Sequence, residues 1–174
     1  MAIETSEKNF QQDSQMTFQE VYDFAFKGLI PLFKDLAAEV GEEQFVETVK
    51  RISSDLALQN GQEGAKDASC NDLHTLTTWA REPDHFWKHV LDFEVVEDSD
   101  EAFEVRVNNC LWAKTFREND AAQIGTALVC HGDYATCRGF NPNIRLERSK
   151  TLMQGDECCN HRWIFEQENE EASL

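Results

Sequence analysis

One change of hydrophobic period divides this chain and constrains the fold more than any other feature. Through residues 18–81 the apolar residues recur every three or four positions, which is helical spacing. From Phe93 to Val107 they alternate with polar residues instead, around an acidic run at 97–101. Alternation of period two indicates strands, and the acidic run indicates a solvated turn between them. The chain is therefore predicted to form helices first and an antiparallel hairpin afterwards.

The first helix has clear start and stop signals. Thr17 and Glu20 form a capping box, and Gly41 is a residue type that often ends a helix. Pro31 lies inside the helix and predicts a kink or two short helices. The apolar residues expected at helical spacing behind the cap are Phe18, Val21, Tyr22, Leu29, Leu32, Phe33, Leu36 and Val40.

A second helix is predicted after Gly41, ending near Asn60 and Gly61. The apolar residues that share one of its faces are Phe45, Val49, Ile52 and Leu56. Shorter helical pieces are expected at 72–81 and 84–90. The two long N-terminal helices are amphipathic and could pack on the sheet or against a second copy of the chain, so a homodimer is one expectation.

The second half is predicted to contain one more helical region and one more hairpin. The pattern favours helix at 111–138, a turn at 139–143, and strands at 144–150 and 160–166. We therefore expect an α+β fold in which N-terminal helices pack with a small antiparallel sheet made of two hairpins separated by a helix. One domain over 17–166 suits the length of 174 residues, with a frayed segment at 1–16 and a loose acidic tail at 167–174.

Charge narrows the expected partners. The net charge of −17 disfavours binding to nucleic acid or to an anionic membrane, because both are polyanions. From Arg106 to Arg162, however, eight Lys/Arg and six Asp/Glu leave a local excess of positive charge. That segment could hold a small anion, so the expected partner is an anionic small molecule.

The cysteines are expected to be free thiols in the cytoplasm. The N-terminus lacks the basic start and apolar core of a signal peptide, and no stretch approaches the ~20 apolar residues that span a bilayer. The chain has six cysteines, and reducing compartments keep such thiols unpaired.

Cys130 and Asp133 form the first candidate catalytic group. A cysteine near an acid and a histidine can supply a nucleophile and a proton shuttle. On a helix, positions 130 and 133 share a face, whereas His131 points about 100° away. Asp133 is therefore the better local partner for Cys130. The alternative is a buried structural cysteine beside a surface histidine.

Cys159 and His161 form the second candidate group. Residues two apart on a strand point to the same face, so this pair could transfer protons or bind a metal ion. Cys130, Cys159 and His161 are the candidate metal ligands, although no CxxC pair is present. The sequence requires no cofactor, and a core thiol is the structural alternative.

Candidate substrate-binding residues follow on a basic strand. Alternation places Arg145 on one face and Arg148 on the other. A guanidinium there could hold a substrate carboxylate through two parallel hydrogen bonds, while a solvated ion pair is the alternative. Trp112, at a predicted strand-to-helix junction, and Asn141, in the predicted turn, are the further candidates for substrate contacts.

Five motifs in the second half occur in a characteristic order. They are Cys110–Phe116, Cys130–Tyr134, Gly139–Pro142, Thr151–Asp156 and Cys158–Trp163. This series resembles the L-2-amino-thiazoline-4-carboxylic acid hydrolase family, over about residues 90–166. The resemblance implies an enzyme that opens a small cyclic amidine or thiazoline carboxylate by cleaving a C–N or C–S bond, giving a carbamoyl-cysteine.

Two other functions stay open at this stage. The closing pattern is also similar to small-molecule-binding domains of the vinyl-reductase type, which implies a ligand or metal sensor without catalysis. A thiol-redox protein using Cys158 and Cys159 or Cys130 ranks last, because vicinal cysteines form only a strained disulfide.

Overall fold

Two long helices open the fold. The computed structural model describes residues 17–166, so the predictions for 1–16 and 167–174 lie outside the described residues. The first half contains α1 (Phe18–Val40), α2 (Glu42–Asp67), α3 (Leu73–Leu76), a 3-10 turn (Thr78–Ala80) and α4 (Trp87–Val90). Thr17 and Glu20 form the predicted capping box, and Gly41 separates the two long helices with a φ of 96°.

The sheet and the remaining helices follow. They are β1 (Leu91–Asp98), β2 (Ala102–Cys110), α5 (Leu111–Glu118), α6 (Ala122–Gly125), a π-helical turn (Thr126–Cys130), α7 (Asp133–Phe140), β3 (Ile144–Glu147), a 3-10 turn (Leu152–Gln154) and β4 (Cys159–Phe165). The predicted long helix at 111–138 is thus divided. Asp120, with a φ of 52°, turns the chain between α5 and α6.

The two hairpins form one sheet with the strand order β1-β2-β4-β3, and all neighbours are antiparallel. Val107 pairs with Cys159, and Val105 pairs with His161. Because side chains alternate along a strand, Cys159 and His161 share the face that carries the buried valines. The predicted α+β class is confirmed, and the predicted common face of Cys159 and His161 is observed.

A close crossing of α2 and α7 holds the middle of the molecule together. Gly61 is buried within α2, and a Cβ there would collide with the carbonyl oxygen of Thr136. A Cβ on Gly139 would likewise collide with the carbonyl oxygen of Leu58. The backbones can approach this closely only because neither residue has a side chain. The prediction that α2 ends near Gly61 is therefore wrong, because this glycine serves packing inside the helix.

The long N-terminal helices bury a different face from the one their pattern suggests. Pro31 lies within one uninterrupted helix, α1, so the predicted division into two helices is wrong. The buried residues of α1 are Tyr22, Ile30 and Ala37. The large apolar side chains that α1 leaves exposed are Phe18, Val21, Phe24, Leu29, Leu32, Leu36 and Val40. Within residues 17–166, no helix has both the length and the apolar content needed to cross a bilayer.

Candidate active site

Arg148 is the centre of the most polar buried group in the second half. It follows directly after β3, where Ile144 and Leu146 are buried and Arg145 and Glu147 are exposed. Alternation therefore turns Arg148 inward, and its side chain is only 4% exposed. Burial is the largest single influence and lowers the pKa of Arg148, but the charge and hydrogen bond of Asp133 together with the neighbouring Cys130 and Tyr134 outweigh it, so the pKa is raised. The guanidinium therefore stays charged inside the protein.

Three groups accept hydrogen bonds from this guanidinium. Nη1 donates to Oδ2 of Asp133 at 2.6 Å and to Nε2 of His161 at 2.9 Å. Nη2 donates to the backbone carbonyl of Cys130 at 2.8 Å. Arg148 thus connects the last residue of the π-helical turn, the first residue of α7 and the inner face of β4.

These bonds define the tautomer of His161. A guanidinium has only donors, so Nε2 of His161 must present its lone pair to Arg148. In a neutral imidazole the proton then lies on Nδ1. The side chain of His161 is 14% exposed, and Oδ2 of Asp133 lies 3.6 Å from Nε2 of the imidazole. His161 is therefore presented as a hydrogen-bond donor through Nδ1.

Two buried donors in this group lack an acceptor. Nε of Arg148 and Nδ1 of His161 are both inaccessible to solvent and have no hydrogen-bond partner within residues 17–166. Buried polar groups in native proteins are nearly always paired, and an unpaired one costs roughly 1–3 kcal/mol. Two such donors around one buried cation favour binding of an anionic or carbonyl-bearing ligand.

Asp133 differs from its two partners in exposure. Its side chain is 42% exposed, although its carboxylate pairs with the buried guanidinium. It is the first residue of α7, and part of its side chain faces solvent. Asp133 is therefore the part of the group that water or a ligand can reach first.

Aromatic rings flank the polar group on both sides. The guanidinium of Arg148 lies over the ring of Tyr134 at 5.0 Å, a cation–π arrangement. The imidazole of His161 stacks on the indole of Trp163, with 5.6 Å between ring centroids and 16° between planes. These contacts hold both side chains in one orientation and exclude water from their faces.

Three thiols lie near the polar group, and all are protonated at neutral pH. Burial raises the pKa of Cys130 to about 12 and that of Cys110 to about 11. It also raises the pKa of Cys159, whose sulfur accepts a hydrogen bond from the Leu152 amide at 3.2 Å. The negative charge of Asp133 adds to the increase for Cys130. Because the thiolate is the nucleophilic form, Cys130 as placed is not activated.

The candidate metal ligands do not assemble. Across residues 17–166, no group of three or more His, Cys, Asp or Glu side chains is arranged to hold a metal ion. Cys130, Cys159 and His161 therefore form no such cluster. Asp133 is paired with Arg148 instead, and Cys159 accepts its bond from a backbone amide.

The remaining predicted substrate residues have partners outside this group. The guanidinium of Arg145 pairs with Glu147 and Glu166 on the exposed face of β3. Trp112 packs against Tyr22 of α1, with 4.7 Å between ring centroids.

Asn141 lies at the end of α7. Its side-chain amide donates to the carbonyl of Asn71, and its oxygen accepts from the backbone N–H of Asn143. The structure therefore brings together Cys130, Asp133, Arg148 and His161, with Cys159 close by, and separates Arg145 and Asn141 from them.

The sequence interpretation missed one partner and one relationship. Tyr134 was not proposed, because no spacing rule pairs it with an arginine on a later strand. The tie between Asp133 and His161 through Arg148 was also missed. The available signal was the inward-facing position of Arg148 next to a charged strand, since a buried arginine requires carboxylate and carbonyl partners.

An open groove lies elsewhere, where the end of α1 meets α5 and α6. Its volume is about 610 Å³, and its walls include Lys34, Glu42, Arg117 and Asp120 over a floor of alanines. It is open to solvent, and its charged residues include both signs. Its volume does not make it the better candidate, because the buried donors without partners lie at Arg148.

The fold and the site define a class: a single-domain α+β protein with a buried, arginine-centred polar site between sheet and helices. A family model described as L-2-amino-thiazoline-4-carboxylic acid hydrolase matches residues 16–163. The chain belongs to this family, which confirms the resemblance and extends it beyond residues 90–166 into the helical half.

Two further comparisons are less informative. No curated protein matches the chain. Among solved structures, a trafficking protein particle complex subunit 3 from Naegleria fowleri, covalently bound to palmitic acid, is similar with a TM-score of 0.48 and 8% identity. The match covers 80% of this chain and 93% of that one.

Proposed function

We propose that this protein hydrolyses a small cyclic amidine or thiazoline carboxylate of the 2-amino-thiazoline-4-carboxylate type. The observation that carries the proposal is the buried Arg148, which holds Asp133 and His161 together and keeps a further N–H without an acceptor. Membership of the family supports the same substrate class. Such a substrate offers a carboxylate for the guanidinium and an electrophilic carbon between nitrogen and sulfur.

Asp133 is the proposed general base. Its carboxylate is half exposed, so a water molecule can reach it. The water oxygen bonds to the ring carbon between nitrogen and sulfur while Asp133 accepts one proton. The bond from that carbon to sulfur or to the ring nitrogen then breaks. Asp133 returns its proton to the leaving atom, and the added hydroxyl gives its proton to the ring nitrogen as the C=O bond forms, so one substrate and one water give one carbamoyl-cysteine.

His161 is the proposed hydrogen-bond donor to the reacting ring. Its Nδ1–H is buried beside Arg148, where a hydrogen bond to developing negative charge is stronger than in water. Its Nε2 lone pair is taken by Arg148. We therefore assign it an electrophilic, charge-stabilising role instead of proton abstraction.

The proposal assigns attack to water and not to Cys130. A thiol with a pKa of about 12 is almost entirely protonated at neutral pH. The carboxylate of Asp133 accepts its hydrogen bond from Arg148, and its negative charge opposes formation of a thiolate at Cys130. A nucleophilic Cys130 stays a separate prediction, and a Cys130→Ser variant that keeps turnover would remove it.

Turnover of 2-amino-thiazoline-4-carboxylate by purified protein is the direct test. Asp133→Asn keeps the shape of the side chain but removes the base, so we expect kcat to fall roughly 10²–10⁴-fold. Glu147→Gln is the matched control, because Glu147 also pairs with an arginine but lies on the exposed face. Full activity in Asp133→Asn, with wild-type melting, would reject the assignment.

Binding without turnover is the second candidate. It is favoured by the protonated state of all three nearby thiols, which leaves the site with one accessible base and no activated nucleophile. The same assay separates the candidates, because a binding protein would retain the substrate unchanged. A cytoplasmic location and an absence of nucleic-acid partners stay predictions.

A further inference from the structure

The pairing of Arg148 and Asp133 is unequal, and this inequality has a functional consequence. The cation is almost completely buried, whereas its counter-ion is 42% exposed. A buried cation needs a negative partner at all times, because an unpaired buried charge costs several kcal/mol. An exposed carboxylate needs no such partner, because water solvates it. The guanidinium is therefore the fixed half of the pair, and Asp133 is the exchangeable half.

Only part of the guanidinium is used in the resting arrangement. Arginine has five N–H donors, and three of them reach Asp133, His161 and the Cys130 carbonyl. Nε–H has no acceptor within the described residues. A carboxylate can accept two parallel bonds from one guanidinium, but Asp133 accepts from Nη1 through Oδ2 alone. A ligand carboxylate could therefore bind Arg148 more completely than Asp133 does.

We propose that Asp133 occupies the substrate carboxylate's place on Arg148 in the resting protein, and that ligand binding exchanges one carboxylate for the other. The exchange keeps the buried guanidinium paired with a carboxylate throughout. It also frees the Asp133 carboxylate from its ion pair and turns it toward water. The identity of the incoming carboxylate as the substrate's rests on the proposed function.

This exchange couples binding to activation of the base. While Arg148 donates to Oδ2, that oxygen is occupied by the ion pair and is not free to accept a hydrogen bond from a water beside the ring. Once a ligand carboxylate takes over the guanidinium, Asp133 is released next to the bound ring. A cyclic amidine without a carboxylate would leave Asp133 engaged and would be a poor substrate even if it fitted. The carboxylate of the ligand is thus a specificity determinant through Arg148.

An inert ligand tests the exchange independently of turnover. Cyclopentanecarboxylate has a five-membered ring and a carboxylate but no bond that water cleaves, and cyclopentanecarboxamide is its neutral counterpart. Titration calorimetry should give weak binding of the acid to the wild-type protein. Asp133→Ala removes the internal competitor, so the acid should bind about tenfold tighter, equivalent to one hydrogen bond to a charged group. The affinity for cyclopentanecarboxamide should not increase.

Two variants guard against a folding artefact. Asp133→Asn is isosteric and neutral, so it should also bind the acid more tightly, and the acid should raise the melting temperature of both Asp133 variants. Arg148→Gln should lose the gain when combined with Asp133→Ala. Equal or weaker binding by both Asp133 variants, or binding that does not depend on Arg148, overturns the proposal.

The outcome is separable from that of the hydrolase assay. A protein whose Asp133 variants gain affinity for the inert acid, but which leaves 2-amino-thiazoline-4-carboxylate intact, rejects the proposed hydrolysis and retains the exchange. A protein that turns the substrate over, but whose Asp133→Ala variant binds the inert acid no better, rejects only the exchange.

Discussion

The face of α1 and the surroundings of Arg148 depart from the usual burial pattern in opposite directions. Along α1, seven large apolar side chains stay exposed, with Phe24 at 85%. Around Arg148, a guanidinium and an imidazole are buried. Exposed apolar residues are common in folded proteins, whereas a buried charge persists only with partners. The two departures therefore differ in how much specific structure each requires.

The polar site requires contacts from four separate parts of the chain. Its members come from the π-helical turn, α7, the end of β3, and β4. On the exposed face of α1, Phe18 stacks on His89, but the large apolar side chains of that face stay mostly in solvent. We conclude that the site depends on tertiary structure and that the α1 face does not, and each prediction below tests this contrast.

Among changes to polar residues, removal of the buried guanidinium should have the largest effect on stability. Arg148→Ala leaves Nε2 of His161 and the Cys130 carbonyl without a donor, so we expect a loss of about 3 kcal/mol in the free energy of unfolding. Urea denaturation measures this loss. Arg145→Ala is the matched control and should cost less than about 1 kcal/mol, because its ion pairs are exposed. Similar losses in both variants would contradict the contrast.

The next largest effect is expected at alkaline pH, which should lower the free energy of unfolding. The pKa of Cys130 is raised to about 12 and that of Cys110 to about 11, so the folded protein keeps protons that the unfolded chain releases above pH ~9. Stability should therefore be unaffected at neutral pH and fall as pH rises through this range. By pH 10 the loss should be roughly 1 kcal/mol for each thiol.

Denaturant midpoints between pH 7 and pH 10 measure this slope. The Cys130→Ala variant should show a shallower decline than the wild type. The exposed Cys70 provides the control, since Cys70→Ala should leave the slope unchanged. A decline that is equally steep in all three proteins would exclude the buried thiols as its cause.

The smallest effect on folding is expected on α1. Leu32→Ala removes an exposed apolar side chain and should change the free energy of unfolding by less than about 0.5 kcal/mol. Ile30→Ala, two residues away on the buried face, should cost about 2–4 kcal/mol.

A charged substitution at the same position tests the predicted homodimer. If a second copy covers the α1 face, Leu32→Glu should shift sedimentation toward the monomer without unfolding the protein. A sedimentation coefficient that is identical in both proteins and already monomeric would remove the homodimer prediction.

The contrast between the two regions also explains what the sequence could predict. Hydrophobic period, the Thr17 cap and the alternation from Phe93 to Val107 are local signals, and the helices, hairpins and α+β class followed from them. The placement of Arg148 on the opposite face from Arg145 followed from the same alternation. Local signals determine elements, and they determined these correctly.

Burial in the long helices could not be obtained in this way. The apolar residues from Phe18 to Val40 have helical spacing, yet the buried residues of α1 are Tyr22, Ile30 and Ala37, and only Tyr22 belongs to that set. The end of α2 was misplaced because Gly61 was interpreted as a stop, although it accommodates the backbone of α7. In both cases a distant element decides the outcome, and no local pattern encodes its position.

The sequence indicated which residues belong to the candidate site, but it did not indicate the hydrogen bonds between them. Cys130, Asp133, His161 and Arg148 were all proposed from side-chain chemistry. Their relationship was not, because a hydrogen bond between residues 148 and 133 depends on how β3 meets α7. The pKa of Cys130 likewise depends on burial, so its protonated state could not be inferred from the Cys-His-Gly-Asp motif.

The tautomer of His161 tests the central claim most directly. Nitrogen-15 NMR of uniformly labelled protein at neutral pH, assigned with a His161→Gln variant, reports which ring nitrogen carries the proton. If Arg148 donates to Nε2, the proton lies on Nδ1, and Arg148→Gln changes the distribution. A proton on Nε2 in the wild-type protein would contradict an arginine-centred site.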